Sequence, residues 1–455
     1  MQIDLNSFIH ALTVSLDYAE NEVIRVARYH GKRVAVLSNL MAAKAGFDEE
    51  RRYILTQAAA LHDSALSEYL KEEFSDGAPV LEEKNMSGHC LAGERMMMKL
   101  PLYRKTEGAV LYHHERADGS GAFGKTAEET PLHAQILHMA DIVDVTFNID
   151  EMDEQKYELL QEWLTQEEGT AFSCEVCSLF REAVDYELLC SIRGEGSRRI
   201  LESMQPDFMD EVSTDVLREM ASFFATITDY KSHFTWRHSI GIAEKAERMG
   251  NFYGYSPELC DKLYIAGALH DLGKMLISND ILEKPGKLTI SEYREIQNHA
   301  LGTWELLRDI RGMEDICRWA ALHHEKLDGS GYPFGYIGDE LSKVERMMAC
   351  LDIYQALVEE RPYKRSMTHR EAMDILNMMG ESGQLDTTIL RDIDDCFAEY
   401  SDAEENREGP EEDAVFAGEA WKCPVCGYVY EGHLPNDYIC PHCEQPGSIF
   451  VQINR

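Results

Sequence analysis

Apolar side chains return every three to four positions through most of the first 400 residues. Examples are Val23, Val26, Ala27, His30, Val34, Leu37 and Met41, or Leu263, Ala266, Gly267 and His270. That is the helical period, so the body is predicted to be mainly α. Strand-like alternation is scarce until Tyr428-Val429-Tyr430 near the C-terminus, and breakers such as Lys284-Pro285-Gly286 separate the helices.

The pattern also repeats itself. LHDSAL at Leu61 returns as LHDLGK at Leu269, and HHERADGSGAF at His113 returns as HHEKLDGSGYP at His323. The spacing holds between these strings: His30 to His62 and His238 to His270 are both 32 positions, and His89 to His113 and His299 to His323 are both 24. Asp141 follows His114 by 27 positions and Asp352 follows His324 by 28. An internal duplication of this kind predicts two helical bundles of one fold, about 1–205 and 206–400.

Composition changes the picture at three points. The chain has 455 residues, room for several cores, and carries 82 acidic against 44 basic residues, a formal charge of −38. Such a field repels a nucleic-acid backbone, so duplex nucleic acid is not an expected partner, and an anionic substrate would need metal ions and placed cations. No apolar run approaches the roughly 18 residues of a membrane span, and the N-terminal MQIDLNSFIHALTVSLDYAENE is amphipathic and acidic rather than signal-like. The expected location is the cytoplasm, where thiols stay reduced and clustered cysteines read as metal ligands. Cys90, Cys190, Cys260, Cys317, Cys350 and Cys396 stand singly in helical patterns and are read as core packing; Cys174 and Cys177, a CxxC with no second pair nearby, are read as helix packing. The acidic stretch 401–418 cannot bury enough apolar surface to order itself and is read as a linker.

A single histidine on an apolar helix face is ordinarily a core residue. Seven positions that recur together in two copies weigh against that reading: His30, His62, Asp63, His89, His113, His114 and Asp141 in the first, and His238, His270, Asp271, His299, His323, His324 and Asp352 in the second. Imidazoles and carboxylates of this kind suit iron, manganese or zinc. One carboxylate between two imidazole-rich half-sites can bridge two ions, which together polarise a phosphoryl oxygen and supply a nucleophile at neutral pH.

HDLGK from His270, His299, HHEKLDGSGYP from His323 and DIYQALVEERPYK from Asp352 resemble the HD-GYP branch of the HD superfamily. The resemblance covers about 190 residues of the second copy. It implies a helical bundle with two divalent metals, Fe or Mn, that hydrolyses a cyclic dinucleotide, chiefly cyclic di-GMP, in bacterial second-messenger signalling. Carried over residue by residue, it places one ion on His238, His270, Asp271 and Asp352, and the other on His299, His323 and His324 with Asp271 bridging. The Glu that holds a third metal in some members is Phe234 here. By the same resemblance Asp271 and Lys274 are catalytic, Lys274 reaches the phosphate, Arg361 and Lys364 grip the dinucleotide, and Tyr332 faces substrate or a docking partner. The first copy keeps its ligand positions, a possible second centre, but has Leu66, Asp150 and Asp153 opposite Lys274, Arg361 and Lys364, and Gly121-Ala122-Phe123 opposite Gly331-Tyr332-Pro333. Its expected role is therefore regulatory or scaffolding.

Beyond the linker, Cys423-Pro-Val-Cys426 and Cys440-Pro-His-Cys443 form a tetrathiolate signature. WKCPVCGYVYEG resembles the rubredoxin-like module that ends rubrerythrins and implies one iron in 419–455, with a zinc ribbon as the alternative. The whole reads as mainly α: two tandem HD bundles and a small C-terminal β module built on metal knuckles. Its expected activity is metal-dependent cyclic-dinucleotide hydrolysis, with redox regulation through the tail. A diguanylate cyclase domain and a redox protein are candidate partners. The alternatives are a non-enzymatic signalling adaptor and an HD mononucleotide phosphohydrolase.

Overall fold

The computed structural model describes residues 1–24, 28–65, 86–98, 103–204, 210–231, 238–282, 284, 286–359, 366–405, 420–422, 429–431 and 451–453. Leu66, Phe234, Arg361, Lys364 and the four tail cysteines lie outside these residues.

The first copy is built from α1 (Leu5–Ile24), α2 (His30–Lys44), α3 (Glu49–Ala60), α4 (Ser87–Met97), α5 (Leu132–Phe147), α6 (Glu154–Glu167), α7 (Cys174–Ala183), α8 (Tyr186–Ser191) and α9 (Glu195–Met204). The second has α10 (Thr214–Lys231), α11 (His238–Phe252), α12 (Pro257–Leu269), α13 (Asn279–Leu282), α14 (Ile290–Leu307), α15 (Glu314–Ala321), α16 (Lys343–Val358), α17 (His369–Glu381) and α18 (Thr387–Glu405). Helix starts follow local chemistry. Ser256 precedes Pro257 and accepts from the Leu259 amide, while Thr289 with Glu292, Ser342 with Glu345 and Thr368 with Glu371 form reciprocal capping boxes.

Two sequence expectations are refined. The apolar stripe from Val23 to Met41 is interrupted, because Tyr29 adopts φ 65° and α2 starts at His30. That break frees the first turn of α2 to present His30 to the interior. α18 continues through Glu405, five residues into the stretch read as linker.

The two copies are packed together. β1 (Gln2–Ile3) pairs antiparallel with β2 (Asp210–Glu211), the Asp4 amide donates to the Arg311 carbonyl at 3.0 Å, and α1 lies on the 3₁₀ turn Leu272–Leu276 of the second copy. Buried apolar residues from Ile3 to Phe397 form one continuous cluster. In the tail, β3 (Ala420–Lys422) is the centre of an antiparallel sheet between β4 (Val429–Glu431) and β5 (Val451–Ile453). Among the described residues no helix is long and apolar enough to cross a membrane.

One close contact positions the second set of candidate ligands. A Cβ on Gly267 would stand 2.7 Å from the Ala243 Cα, so α11 and α12 cross with backbones nearly touching, which brings His238 and His270 within reach of each other. Gly267→Val must push the helices apart, an overpacking cost of about 1–3 kcal/mol. The expected result is a lower urea midpoint together with weaker metal retention; a wild-type midpoint would show that this crossing is not what sets the two histidines.

Candidate metal centres

In the second copy the seven expected ligands stand at helix starts, just beyond helix ends or inside helices. His238 opens α11, His270 and Asp271 follow α12, His299 is on α14, His323 and His324 follow α15, and Asp352 is on α16. All seven converge. Asp352 Oδ1 is 3.2 Å from His238 Nε2 and 4.0 Å from His270 Nε2, and its Oδ2 is 3.4 Å from His324 Nδ1. Asp271 Oδ2 is 3.1 Å from His270 Nε2, while Oδ1 is 3.3 Å from His299 Nε2 and 4.0 Å from His323 Nε2. Asp271 thus lies between two donor groups, one with His238, His270 and Asp352, the other with His299, His323 and His324.

The imidazoles are oriented from behind. His270, His299 and His323 direct Nδ1 at the carbonyls of Gly267, Ile296 and Ala320, three residues back, at 2.8, 2.6 and 2.6 Å. A carbonyl only accepts, so each Nδ1 carries the proton and each Nε2 turns a lone pair inward. His299 and His323 then face each other Nε2 to Nε2 at 3.2 Å. Two lone pairs at that distance repel unless a cation stands between or beside them. His270 Nε2 is likewise buried and without a hydrogen-bond partner. This arrangement fits a metal-binding site, with the outer hydrogen bonds fixing the tautomer of the ligands.

The buried imidazoles and carboxylates shift one another's protonation in opposite directions. Burial opposes charge on His238, yet hydrogen bonds to Asp352 and Glu359 raise it to about 9. Burial pushes His299 down to about 3. Burial would raise Asp271, but His270 and Lys274 hold it well below the usual carboxylate range, and the Lys274 ammonium lies 2.5 Å from its Oδ2. Tyr332, in a cis Tyr332–Pro333 turn, places its ring centroid 4.6 Å from that of His324 at a tilt of 40°, so it does border the second centre.

The first copy reproduces the core of this arrangement. Asp63 Oδ1 is 3.3 Å from His89 Nε2 and 3.6 Å from His113 Nε2, its Oδ2 is 3.4 Å from His62 Nε2, and His30 Nε2 is 3.3 Å from Asp141 Oδ1. His62 and His113 again direct Nδ1 at carbonyls three residues back, and His89 and His113 meet Nε2 to Nε2 at 3.2 Å. Two differences matter. His114 is buried where His324 is partly exposed, so the first centre is more closed. And the two aspartates that stand opposite Arg361 and Lys364 are otherwise employed. Asp150 pairs with Arg33 at 3.1 Å and accepts from the Gly194 amide at 2.8 Å, while Asp153 caps α6 by accepting from the Lys156 amide. The Arg33 guanidinium thus offsets the charge of Asp150.

Several residues that shape the sites were not singled out in the sequence. Glu359 backs His238 at 2.9 Å, and Asp144, held by Arg33, backs His30 at 2.7 Å. Glu325 accepts from the amides of Phe334, Gly335 and Tyr336 and so shapes the Gly331-Tyr332-Pro333 loop; Glu115 does the same for Phe123 and Lys125. A Cβ at Gly331 would be 2.6 Å from the His324 carbonyl, which is why that loop needs glycine there. The shared HHE string carried the signal for Glu115 and Glu325.

Comparison with known proteins follows the same division. The HD domain family matches residues 18–162 and 222–389, and the rubrerythrin, rubredoxin-like domain matches 421–451. The 3'3'-cGAMP-specific phosphodiesterase 1 of Vibrio cholerae serotype O1 is 28% identical over 376 residues, 79% of this chain and 85% of that protein. The cyclic di-GMP phosphodiesterase PA4108 of Pseudomonas aeruginosa is 33% identical over 190 residues, 41% of this chain and 45% of that protein. The crystal structure of a cyclic GMP-AMP specific phosphodiesterase of V. cholerae shares the fold, with a TM-score of 0.59 at 21% identity over 86% of this chain and 97% of that one. With the family matched over more than half of the chain, in two stretches that follow the internal duplication, the protein belongs to the HD domain family as a tandem member that carries HD-GYP motifs and ends in a rubredoxin-like domain.

Proposed function

We propose that the second copy is a metal-dependent phosphodiesterase that opens a cyclic dinucleotide, and that the first copy is a regulatory or scaffolding metal centre. The observation that carries this reading is the inward-facing pair of Nε2 lone pairs on His299 and His323, 3.2 Å apart, beside Asp271 and Lys274. The names of the relatives favour a cyclic dinucleotide over a mononucleotide. The one aligned over most of its length is named for 3'3'-cGAMP, so that substrate joins cyclic di-GMP at the head of any panel.

His238, His270, Asp271 and Asp352 would hold one ion and His299, His323 and His324 the other, with Asp271 between. Bound there, the ions would supply Lewis-acid charge and lower the pKa of water. The chain's own residues do the rest. Glu359 and the three backbone carbonyls keep the imidazoles oriented, and burial around Asp271 limits dielectric screening of the charges that meet the phosphate. Lys274, resting on Asp271, would meet an incoming phosphate oxygen with its ammonium group. Water adds at phosphorus, the bond to a 3′ oxygen breaks, and that oxygen leaves with a proton, giving a linear dinucleotide. Arg361 and Lys364 would grip the second phosphate, and Tyr332 would face a base or ribose beside His324.

Three outcomes test this. Asp271→Asn should lower hydrolysis of cyclic di-GMP or 3'3'-cGAMP a hundredfold or more if both ions serve the nucleophile; near-normal turnover by folded variant protein would sink the dinuclear reading. His323→Ala with His324→Ala should abolish hydrolysis, whereas His113→Ala with His114→Ala should leave substantial activity, each pair losing its own metal by elemental analysis. Equal losses would place catalysis, or tight coupling, in the first copy as well. For the tail, protein from iron-replete cells should show the visible absorption of a ferric tetrathiolate that disappears in Cys423→Ser. Oxidation should also alter hydrolysis in the full chain but not after removal of residues 419–455. A colourless zinc-filled tail, or unchanged oxygen sensitivity without it, would remove redox control.

A further inference from the structure

The first copy holds a donor that its counterpart lacks. Cys90 directly follows His89, and the position that follows His299 in the second copy is Ala300. Cys90 is fully buried, yet its surroundings are not apolar. Its Sγ lies 4.0 Å from His89 Nε2 and 3.9 Å from the outer Nδ1 of His113, the nitrogen that donates to the Val110 carbonyl. His89, Cys90, His113 and His114 each offer one donor atom within 4.8 Å of the others. His114 adds an independent sign of a missing ligand: it is 6% exposed and neither ring nitrogen has a hydrogen-bond partner. An imidazole buried in that state is costly unless something supplies the absent contact.

We propose that Cys90, with His89, His113 and His114, forms a thiolate-containing metal site in the first copy that takes Zn2+, Fe2+ or Co2+ and discriminates against Mn2+ and Mg2+. The proposal rests on the reading that the first copy binds metal, and adds to it the donor that sets which metal. With metal–sulfur and metal–nitrogen bonds of about 2.3 and 2.0–2.1 Å, a tetrahedral ion puts sulfur and nitrogen about 3.6 Å apart. The 4.0 Å separation of Sγ and His89 Nε2 closes to that with a few tenths of an ångström of movement. Binding breaks the S–H bond, releases the proton to solvent and forms the sulfur–metal bond, with no change in oxidation state. A thiolate favours borderline-soft ions, whereas among the described residues the second centre offers imidazole and carboxylate. The two centres of one chain would therefore differ in metal preference.

The test uses the full chain with Cys423, Cys426, Cys440 and Cys443 changed to Ser, so that the tail contributes no thiolate, freed of metal and titrated anaerobically with Co2+. A near-ultraviolet sulfur-to-cobalt charge-transfer band is expected, growing with about one equivalent per chain as a single thiolate site requires. It should survive His323→Ala with His324→Ala and vanish in Cys90→Ala. Cys90→Ala should also weaken Zn2+ binding in the first copy roughly tenfold or more while changing Mn2+ binding less than about threefold. Cys90→Ser, close in volume, should behave like Cys90→Ala if the sulfur is a ligand and like wild type if it only packs. Cobalt bound in the first copy, shown by its loss in His89→Ala, but with no charge-transfer band would overturn the proposal and leave the metal centre standing. Cobalt content unchanged by His89→Ala would instead remove the underlying reading, and the proposal with it.

Discussion

Both bundles are organised around buried imidazoles that cannot turn away from one another. A carbonyl three residues back takes the outer proton of His270, His299 and His323, and of His62 and His113, so the inner nitrogens are committed as lone pairs. Placing several such lone pairs and one or two carboxylates in a dry interior is unfavourable by itself. Positive charge has to be supplied. At the second centre, Lys274 supplies part of it to Asp271; for the rest, the donor set is suited to divalent ions. The helix packing follows from the same need. α11 and α12 approach until only glycine fits at position 267, because a wider crossing would separate His238 from His270.

The main features of this arrangement were legible from spacing, since a ligand that must reach a shared point constrains how many residues separate it from the next. Two copies with equal intervals showed which histidines belong together. What stayed hidden has a common cause. Glu359 backs His238 from seven residues beyond Asp352, whereas Asp144 backs His30 from three residues beyond Asp141. The same task is met from different positions, so comparing the copies in register finds neither. Arg33 was equally invisible, because a fully buried arginine is expected only once its partners Asp144 and Asp150 are known to converge on it. Cys90 was read as packing because one cysteine in a helical pattern usually is; its neighbours, not its period, change the reading.

Divergence between the copies is best understood from what replaced the substrate-facing charges. In the first copy the chain after α5 goes directly into a short turn and α6, and Asp150 and Asp153 are spent on Arg33, the Gly194 amide and a helix cap. Positions whose counterparts in the second copy would meet a ligand are thus structural in the first.

The packing between copies gives the closed centre a physical route to the open one. The segment Leu272–Leu276, which follows Asp271 and contains Lys274, packs against α14 and α10 of its own copy and against α1 of the first. Lys231, at the end of α10, donates to the Met275 carbonyl at 2.6 Å, so the segment is held by polar as well as apolar contacts. α1 in turn carries Asp17, whose carboxylate accepts from the Gly31 amide one residue after His30. An ordered first centre fixes the start of α2, the start of α2 fixes Asp17 and α1, and α1 bears on the turn that presents Asp271 and Lys274. Each link in that chain is a packed or hydrogen-bonded contact between neighbouring elements, and close-packed interiors transmit displacement rather than absorb it.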